Sequence, residues 1–146
     1  MVEYTKKRIF KIKRGGAKNI ISASMSALPY SNGFFDFVVS NGVLHNANNF
    51  KEFNLAIREI SRVLKNGGYL ILNTFVNGNL KNEFIREKEY KYLYFTKKGL
   101  ATVLLPMNKF KKIFLKSNLQ LLSYQTKYII VTTGKRRVFK GVFKKE

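Results

Sequence analysis

The sequence predicts an α/β fold built on a strand–helix–strand unit and closed by a C-terminal β-hairpin. Three observations predict it. Phe34–Ser40 and Tyr69–Phe75 are apolar runs of strand length, rich in Phe, Val, Leu and Ile. Between them, Phe53, Ala56, Ile57, Ile60, Val63 and Leu64 recur at i, i+3, i+4, i+7, i+10 and i+11, the apolar stripe of an amphipathic helix. Near the end, Leu119–Thr133 and Arg137–Lys144 read as two long strands around a Thr133-Gly134-Lys135 turn.

Each element has its own reason. Tyr4–Arg14 reads as a basic helix, with Ile9, Phe10 and Ile12 as its large apolar residues after Tyr4 and Gly15-Gly16 as its stop. Asn19–Ser24 is a short strand candidate. Ala27–Gly33 is a loop, because Pro29 and Asn32-Gly33 are strong turn signals. Phe34–Ser40 is apolar at almost every position, the pattern of a strand buried on both faces. Asn41–Asn49 is a polar loop around Val43 and Leu44. The helix Phe50–Leu64 takes Asn48 or Asn49 as its cap and ends before Gly67-Gly68. Short loops on both sides make its flanking strands parallel neighbours with a right-handed crossover. Gly78–Tyr94 is polar and reads as helix or lid, and Pro106–Lys116 carries a short helix.

A chain of 146 residues fits one domain, residues 1–146, and 45% hydrophobic residues supply a core. The chain has no cysteine, which excludes disulfides, thiolate zinc sites and a cysteine nucleophile. It has one histidine, His45, and one aspartate, Asp36. No apolar run reaches the ~18 residues of a membrane helix. The expectation is a soluble cytoplasmic protein without a membrane partner.

The net charge is +20, and it is unevenly spread. Residues 1–20 carry seven basic and one acidic side chain, residues 21–75 four and three, and residues 76–146 seventeen and four. A nearly neutral centre lies between two basic ends, which favour anionic partners. RNA is one such partner, through Lys6, Lys7, Arg8, Lys11, Lys13 and Arg14 at one end and Lys135, Arg136, Arg137 and Lys140 at the other. No RNA-binding motif accompanies them, and most charge runs are solvated faces.

Several short blocks occur in a telling order: Leu28-Pro29-Tyr30, Phe35-Asp36-Phe37-Val38-Val39-Ser40, Val43-Leu44-His45, Arg58-Glu59-Ile60, Arg62-Val63-Leu64-Lys65 and Gly67-Gly68-Tyr69-Leu70. Together they resemble the class I S-adenosylmethionine-dependent methyltransferases of the type 11 kind, whose pattern runs LPF, FDxVxS, xxLHH, xRExxRVLKPGGxL. Asn66 stands at the Pro of KPGG and Asn46 at the second His of LHH. The resemblance implies a Rossmann-like methyltransferase sheet, N-terminally truncated. Of the family's order 3-2-1-4-5-7-6 it keeps strands 3, 4, 5, 7 and 6, with Asn19–Ser24 as strand 3 and the hairpin as the last two strands.

The resemblance also implies S-adenosylmethionine as cofactor and methyl transfer to an unidentified acceptor. Asn41 and Gly42, at the carboxyl end of a central strand, fall where the methionine part lies. Ser24 stands where the family usually has an acid for the adenine amine, and a hydroxyl accepts that bond more weakly. Met25 falls where a backbone amide meets the adenine ring, and His45, at a position that is structural or near the substrate in the family, joins Ser24, Met25, Asn41 and Gly42 as a cofactor-binding candidate. The family's Gly-rich cofactor loop has no match, nor has its ribose-binding acid. The resemblance thus covers a truncated, split or degenerate form of the enzyme.

Without strands 1 and 2, the strand Phe35 to Ser40 becomes an apolar edge, which is an association hazard. Either the Asn19–Ser24 strand shifts to pair with it, or a second chain or a homodimer covers it. The alternative function is a non-catalytic basic module for RNA or an acidic partner, or a regulatory subunit of a methyltransferase.

Overall fold

The computed structural model describes residues 2–12, 19–78, 84–132 and 134–146. Helix α1 is Val2–Ile12. Strand β1 is Phe35–Asn41, helix α2 Phe50–Val63 and strand β2 Leu64–Val76. Three short strands follow: β3 Phe84–Arg86, β4 Leu93–Thr96 and β5 Ala101–Val103. Helix α3 is Met107–Leu115, and the hairpin is β6 Leu119–Val131 with β7 Gly134–Lys145. Gly15-Gly16 lies outside the described residues.

The main sheet has the order β1-β2-β7-β6. β1 runs parallel to β2, with Phe37 beside Tyr69, Val39 beside Ile71 and Asn41 beside Asn73. β7 is antiparallel to both β2 and β6. The predicted strand–helix–strand unit and the hairpin are therefore both present.

Helix α2 begins where its cap chemistry sits. The Asn49 side chain accepts from the Glu52 N–H at 2.9 Å, and the Glu52 carboxylate accepts from the Asn48 N–H at 2.7 Å. Its apolar stripe packs with α3 onto one face of the sheet. Phe53, Ile57 and Ile60 of α2, Phe110 and Phe114 of α3, Leu70 and Leu72 of β2, and Phe139 and Phe143 of β7 form one buried cluster.

The Arg58-Glu59-Ile60 and Arg62 blocks have a structural use. Glu59 accepts from the Leu28 N–H at 2.8 Å. Arg62 donates to the carbonyls of Leu28 and Tyr30 at 2.9 and 2.6 Å, and to Glu59 itself. One ion pair on α2 thus holds the loop that leads into β1. Arg62 and the Leu28 N–H hold the Glu59 carboxyl below its ordinary pKa.

Three expectations are corrected. Asn19–Ser24 is not a strand; its one β-bridge is local, from Ser24 to Ala27. A strand needs a neighbour to accept its ladder, and this segment has none among the described residues, so it neither forms strand 3 nor pairs with β1. The strand Phe35 to Ser40 is not buried on both faces: Phe37 is 63% and Val39 67% exposed. The helices cover only the face that Leu70 and Leu72 share. Finally, the Gly78–Tyr94 stretch is not helical where it is described. It supplies β3 and the first residues of β4, in a separate antiparallel sheet of order β3-β4-β5.

Candidate functional site

The site lies at the carboxyl ends of β1 and β2, where open α/β sheets take ligands. Asn41 ends β1, and Gly42 follows it with φ +72°, a left-handed conformation natural to glycine. A Cβ at Gly42 would meet nothing within 4 Å, so its backbone faces open space. The loop is tied to β2: the Gly42 N–H donates to the Asn73 carbonyl at 2.8 Å, and the Asn73 amide donates to Asn41 Oδ1 at 2.7 Å. The Asn46 amide closes it from the other side by donating to the Gly42 carbonyl at 2.9 Å.

Two adjoining hollows open there. One, about 320 Å³, is lined by Gly42, His45, Asn73, Phe75, Lys127 and Lys140 among others. The second, about 560 Å³, shares Asn73 and Lys140, includes Asn41 and runs along the uncovered sheet face past Val39, Ile71 and Val142. Lysines enter from the hairpin because β7 places Lys140 opposite Asn73, and β6 places Gln125 opposite Lys140.

His45 sits in a 3-10 turn, Leu44–Asn46, and is only 8% exposed. The Phe75 N–H points to its Nδ1 at 3.4 Å, and the Thr74 hydroxyl lies 3.2 Å from the same nitrogen. An N–H donating to Nδ1 fixes the neutral ring as the Nε2–H tautomer. Burial first, and the positive charge of Arg136 second, push its pKa down to about 4. The ring is therefore neutral at physiological pH. Its carbonyl accepts from the Thr102 hydroxyl at 3.0 Å, which links the turn to β5.

The structure brings Asn41, Gly42 and His45 together around the two hollows. Ser24 and Met25 line neither of them. The Ser24 hydroxyl meets the Ser26 hydroxyl at 2.9 Å, and the Met25 side chain packs against the core. Sequence reasoning missed Asn73 and Lys127, and it named Lys140 only for the RNA surface. The signal for Asn73 was present: it is the first polar residue after the apolar run Tyr69–Leu72. The lysines carry no such signal, because only the hairpin register brings them there.

The basic clusters are reshaped as well. Lys13 and Arg14 lie outside the described residues, and nothing is described of the Lys11 side chain. Arg136 is not on the surface: it is 1% exposed, and its guanidinium lies 4.5 Å from the centre of the Phe84 ring. It leaves the expected RNA surface because β3 folds over it. Among the described residues no three His, Asp or Glu side chains gather as metal ligands. No described helix is long and apolar enough to cross a membrane.

Comparison with known proteins now bears on this geometry. Residues 1–72 match the family model of the methyltransferase domain. The resemblance is to that family. Solved structures agree on the fold. An S-adenosylmethionine-dependent methyltransferase of Methanosarcina mazei superposes with a TM-score of 0.71 at 21% identity, over 84% of this chain and 65% of that one. The 1,6-didemethyltoxoflavin-N1-methyltransferase of Burkholderia thailandensis, solved with S-adenosylhomocysteine, gives 0.65 at 13% identity, over 96% of this chain and 56% of that one. A chain from a Haloferax volcanii complex between a methyltransferase activator and a methyltransferase gives 0.66 at 11% identity, over 94% of this chain and 66% of that one. This chain therefore spans less than two thirds of each. No curated protein matches the sequence. The fold is the Rossmann-like methyltransferase fold, and the sheet β1-β2-β7-β6 corresponds to the expected strands 4, 5, 7 and 6.

Proposed function

We propose that this chain forms the carboxyl-side wall of an S-adenosylmethionine site and takes part in methyl transfer to an acceptor. The observation that carries the reading is Gly42: a left-handed residue with open space at its Cβ position, at the carboxyl end of β1, in the segment that matches the methyltransferase domain. The donor set suits the cofactor. Asn41 and Asn73 offer amide groups to an amino-acid end, and the Gly42 backbone allows close approach. Ser24 and Met25 are assigned the adenine side, Met25 through its backbone amide and Ser24 through its hydroxyl. His45 is assigned a place beside the methionine end.

When bound, the cofactor supplies a methyl group on a sulfonium sulfur. The chain's own part is positioning. The Asn73–Asn41 bond and the Asn46–Gly42 bond fix the loop, and a fixed loop aligns a displacement better than a mobile one. His45, neutral and with a pKa of about 4, is a poor general base, so its part is to hold the 3-10 turn against β2 and β5.

The test is titration of the 146-residue chain with S-adenosylhomocysteine, read by calorimetry and by amide NMR shifts. The expected result is saturable shifts at Ser24, Met25, Asn41, Gly42, His45 and Asn73, lost in Asn41→Ala. Unmoved amides at millimolar ligand overturn the reading.

A second reading rests on the paired Lys–Tyr contacts of the hairpin. Lys135 lies 5.1 Å from the Tyr128 ring centre and Lys111 4.0 Å from that of Tyr124. Such basic and aromatic pairs are of the kind single-stranded RNA uses. Oligo-uridylate binding with a steep salt dependence is its expected sign, and binding that ignores salt rules it out.

A further inference from the structure

The smaller hollow, about 320 Å³, carries two charges that the proposed cofactor site does not use. The register of three strands puts them there. Lys140 stands opposite Asn73 of β2 and opposite Gln125 of β6, and Lys127 stands opposite Val138. Strand residues two apart share a face, so Lys127, Lys140, Asn73 and Phe75 all belong to the face the helices leave bare. Lys127 and Lys140 are thus diagonal cross-strand neighbours, about 7–8 Å apart in such pairs.

Two cations this close repel unless an anion lies beside them. No carboxylate of the described residues does so. Their ion pairs lie elsewhere, on Glu3, Glu59 and Asp36. No Asp or Glu lines the hollow.

His45 supplies a third donor. It lines the hollow and is 8% exposed. Its Nδ1 faces the Phe75 N–H and the Thr74 hydroxyl, which leaves the ring proton on Nε2. That Nε2–H meets no acceptor among the described residues. No fully buried side-chain nitrogen or oxygen of the described residues lacks a partner, so Nε2 reaches open space, and the open space beside His45 is the hollow. A donor held in a buried ring and left open on one side is poised for a ligand oxygen. The remaining lining is largely apolar, with Phe75, Ile129 and Val138. A hollow of this size with such walls fits a small molecule rather than a polymer.

We propose that this hollow takes the methyl acceptor, and that the acceptor is a small molecule with an anionic oxygen head, carboxylate or phosphate, on an apolar body. Lys127 and Lys140 bind the head, the His45 Nε2–H donates to one of its oxygens, and Phe75, Ile129 and Val138 hold the body. The acceptor role rests on the cofactor reading at Asn41, Gly42 and Asn73. The anion site rests on the two lysines and His45.

Titration of the 146-residue chain, followed by amide and imidazole NMR signals, tests it. The probes are benzoate and phenyl phosphate, with benzamide as the uncharged control, each with and without S-adenosylhomocysteine. The expected result is saturable shifts at the His45 Nε2 signal and at the Asn73, Lys127 and Lys140 amides. One of the two anions should bind at least about tenfold tighter than benzamide, and the tighter anion names the head. Joint Lys127→Gln and Lys140→Gln substitution should weaken that anion at least about tenfold, and S-adenosylhomocysteine less than about threefold. Five results overturn the proposal. Benzamide binding as tight as the anions, or no binding of either anion, removes the anionic head; if S-adenosylhomocysteine still binds, the cofactor reading survives. Anion binding that the double substitution leaves unweakened places the charge elsewhere. A loss of S-adenosylhomocysteine affinity as large as the loss of anion affinity gives the lysines to the cofactor's own carboxylate. Tighter action of oligo-uridylate on the same signals makes the hollow a nucleotide site. Anion binding without any S-adenosylhomocysteine binding removes the acceptor role together with the cofactor reading.

Discussion

On one face of the main sheet, Leu70, Leu72, Phe139 and Phe143 disappear beneath α2 and α3. On the other, Phe37, Val39 and Ile71 stand in solvent. The residue types are nearly the same. The surroundings differ, because every helix that packs on the sheet packs on one side. Apolar composition in a strand states what the strand is built to touch, and here only half of that contact is made among the described residues.

The largest expected effect lies on the covered face. Phe53→Ala removes a fully buried ring that meets Phe110 and empties the centre of the cluster. It should lower unfolding free energy by about 3–5 kcal/mol in urea titrations. A loss below about 1 kcal/mol would mean that the cluster repacks freely.

The next effect concerns the polar end of the sheet. The folded pKa of His45, about 4, lies below its ordinary value of 6.5. Between those two values the unfolded chain binds a proton that the folded chain refuses. Stability should therefore be full above about pH 6.5 and fall as the pH drops towards 4, by roughly 3 kcal/mol in all. His45→Asn should flatten that slope, and the NMR midpoint of His45 should lie near 4. A midpoint near 6.5 would mean that the ring is solvated and the turn is open.

A glycine sharpens the contrast between the faces. Gly141 points to the covered side, where a Cβ would stand 2.6 Å from the Phe139 ring and 3.2 Å from the Ser123 carbonyl. The ring is locked by Phe110 and Phe143, so it has nowhere to move. Gly141→Ala should destabilise by about 1–3 kcal/mol in the same titrations. A neutral result would show that the space beneath β7 is looser than the ring contacts imply.

Much of this arrangement was legible in the sequence. β1, α2 and β2 follow from two apolar runs around a helical stripe, and the hairpin follows from two long runs around Gly134. Position alone marked Asn41 and Gly42, because the end of a parallel strand is where such sheets bind. The family blocks were legible as a pattern but not as physics. Glu59 and Arg62 prove to be a clamp on the Leu28–Asn32 loop, which only the folded helix can reveal. The small sheet was not legible: β3 and β5 are three residues each, too short for any periodicity. Asn19–Ser24 misled because its composition suits a strand, while a strand also needs a partner. Arg136 misled because charge in a sequence reads as surface, and the fold of β3 over it is a long-range event.

The smallest expected effect is the most informative about the bare face. Phe37→Ala removes a ring of the same size as Phe53→Ala, but the ring stands in water on one side and on Tyr69 on the other. Its removal leaves no cavity, only a lost stacking contact of about 0.5–1 kcal/mol. The substitution should therefore change stability by less than about 1 kcal/mol, several times less than Phe53→Ala. A Phe37→Ala loss as large as that of Phe53→Ala in the chain alone would show that something within residues 1–146 already covers the face in solution.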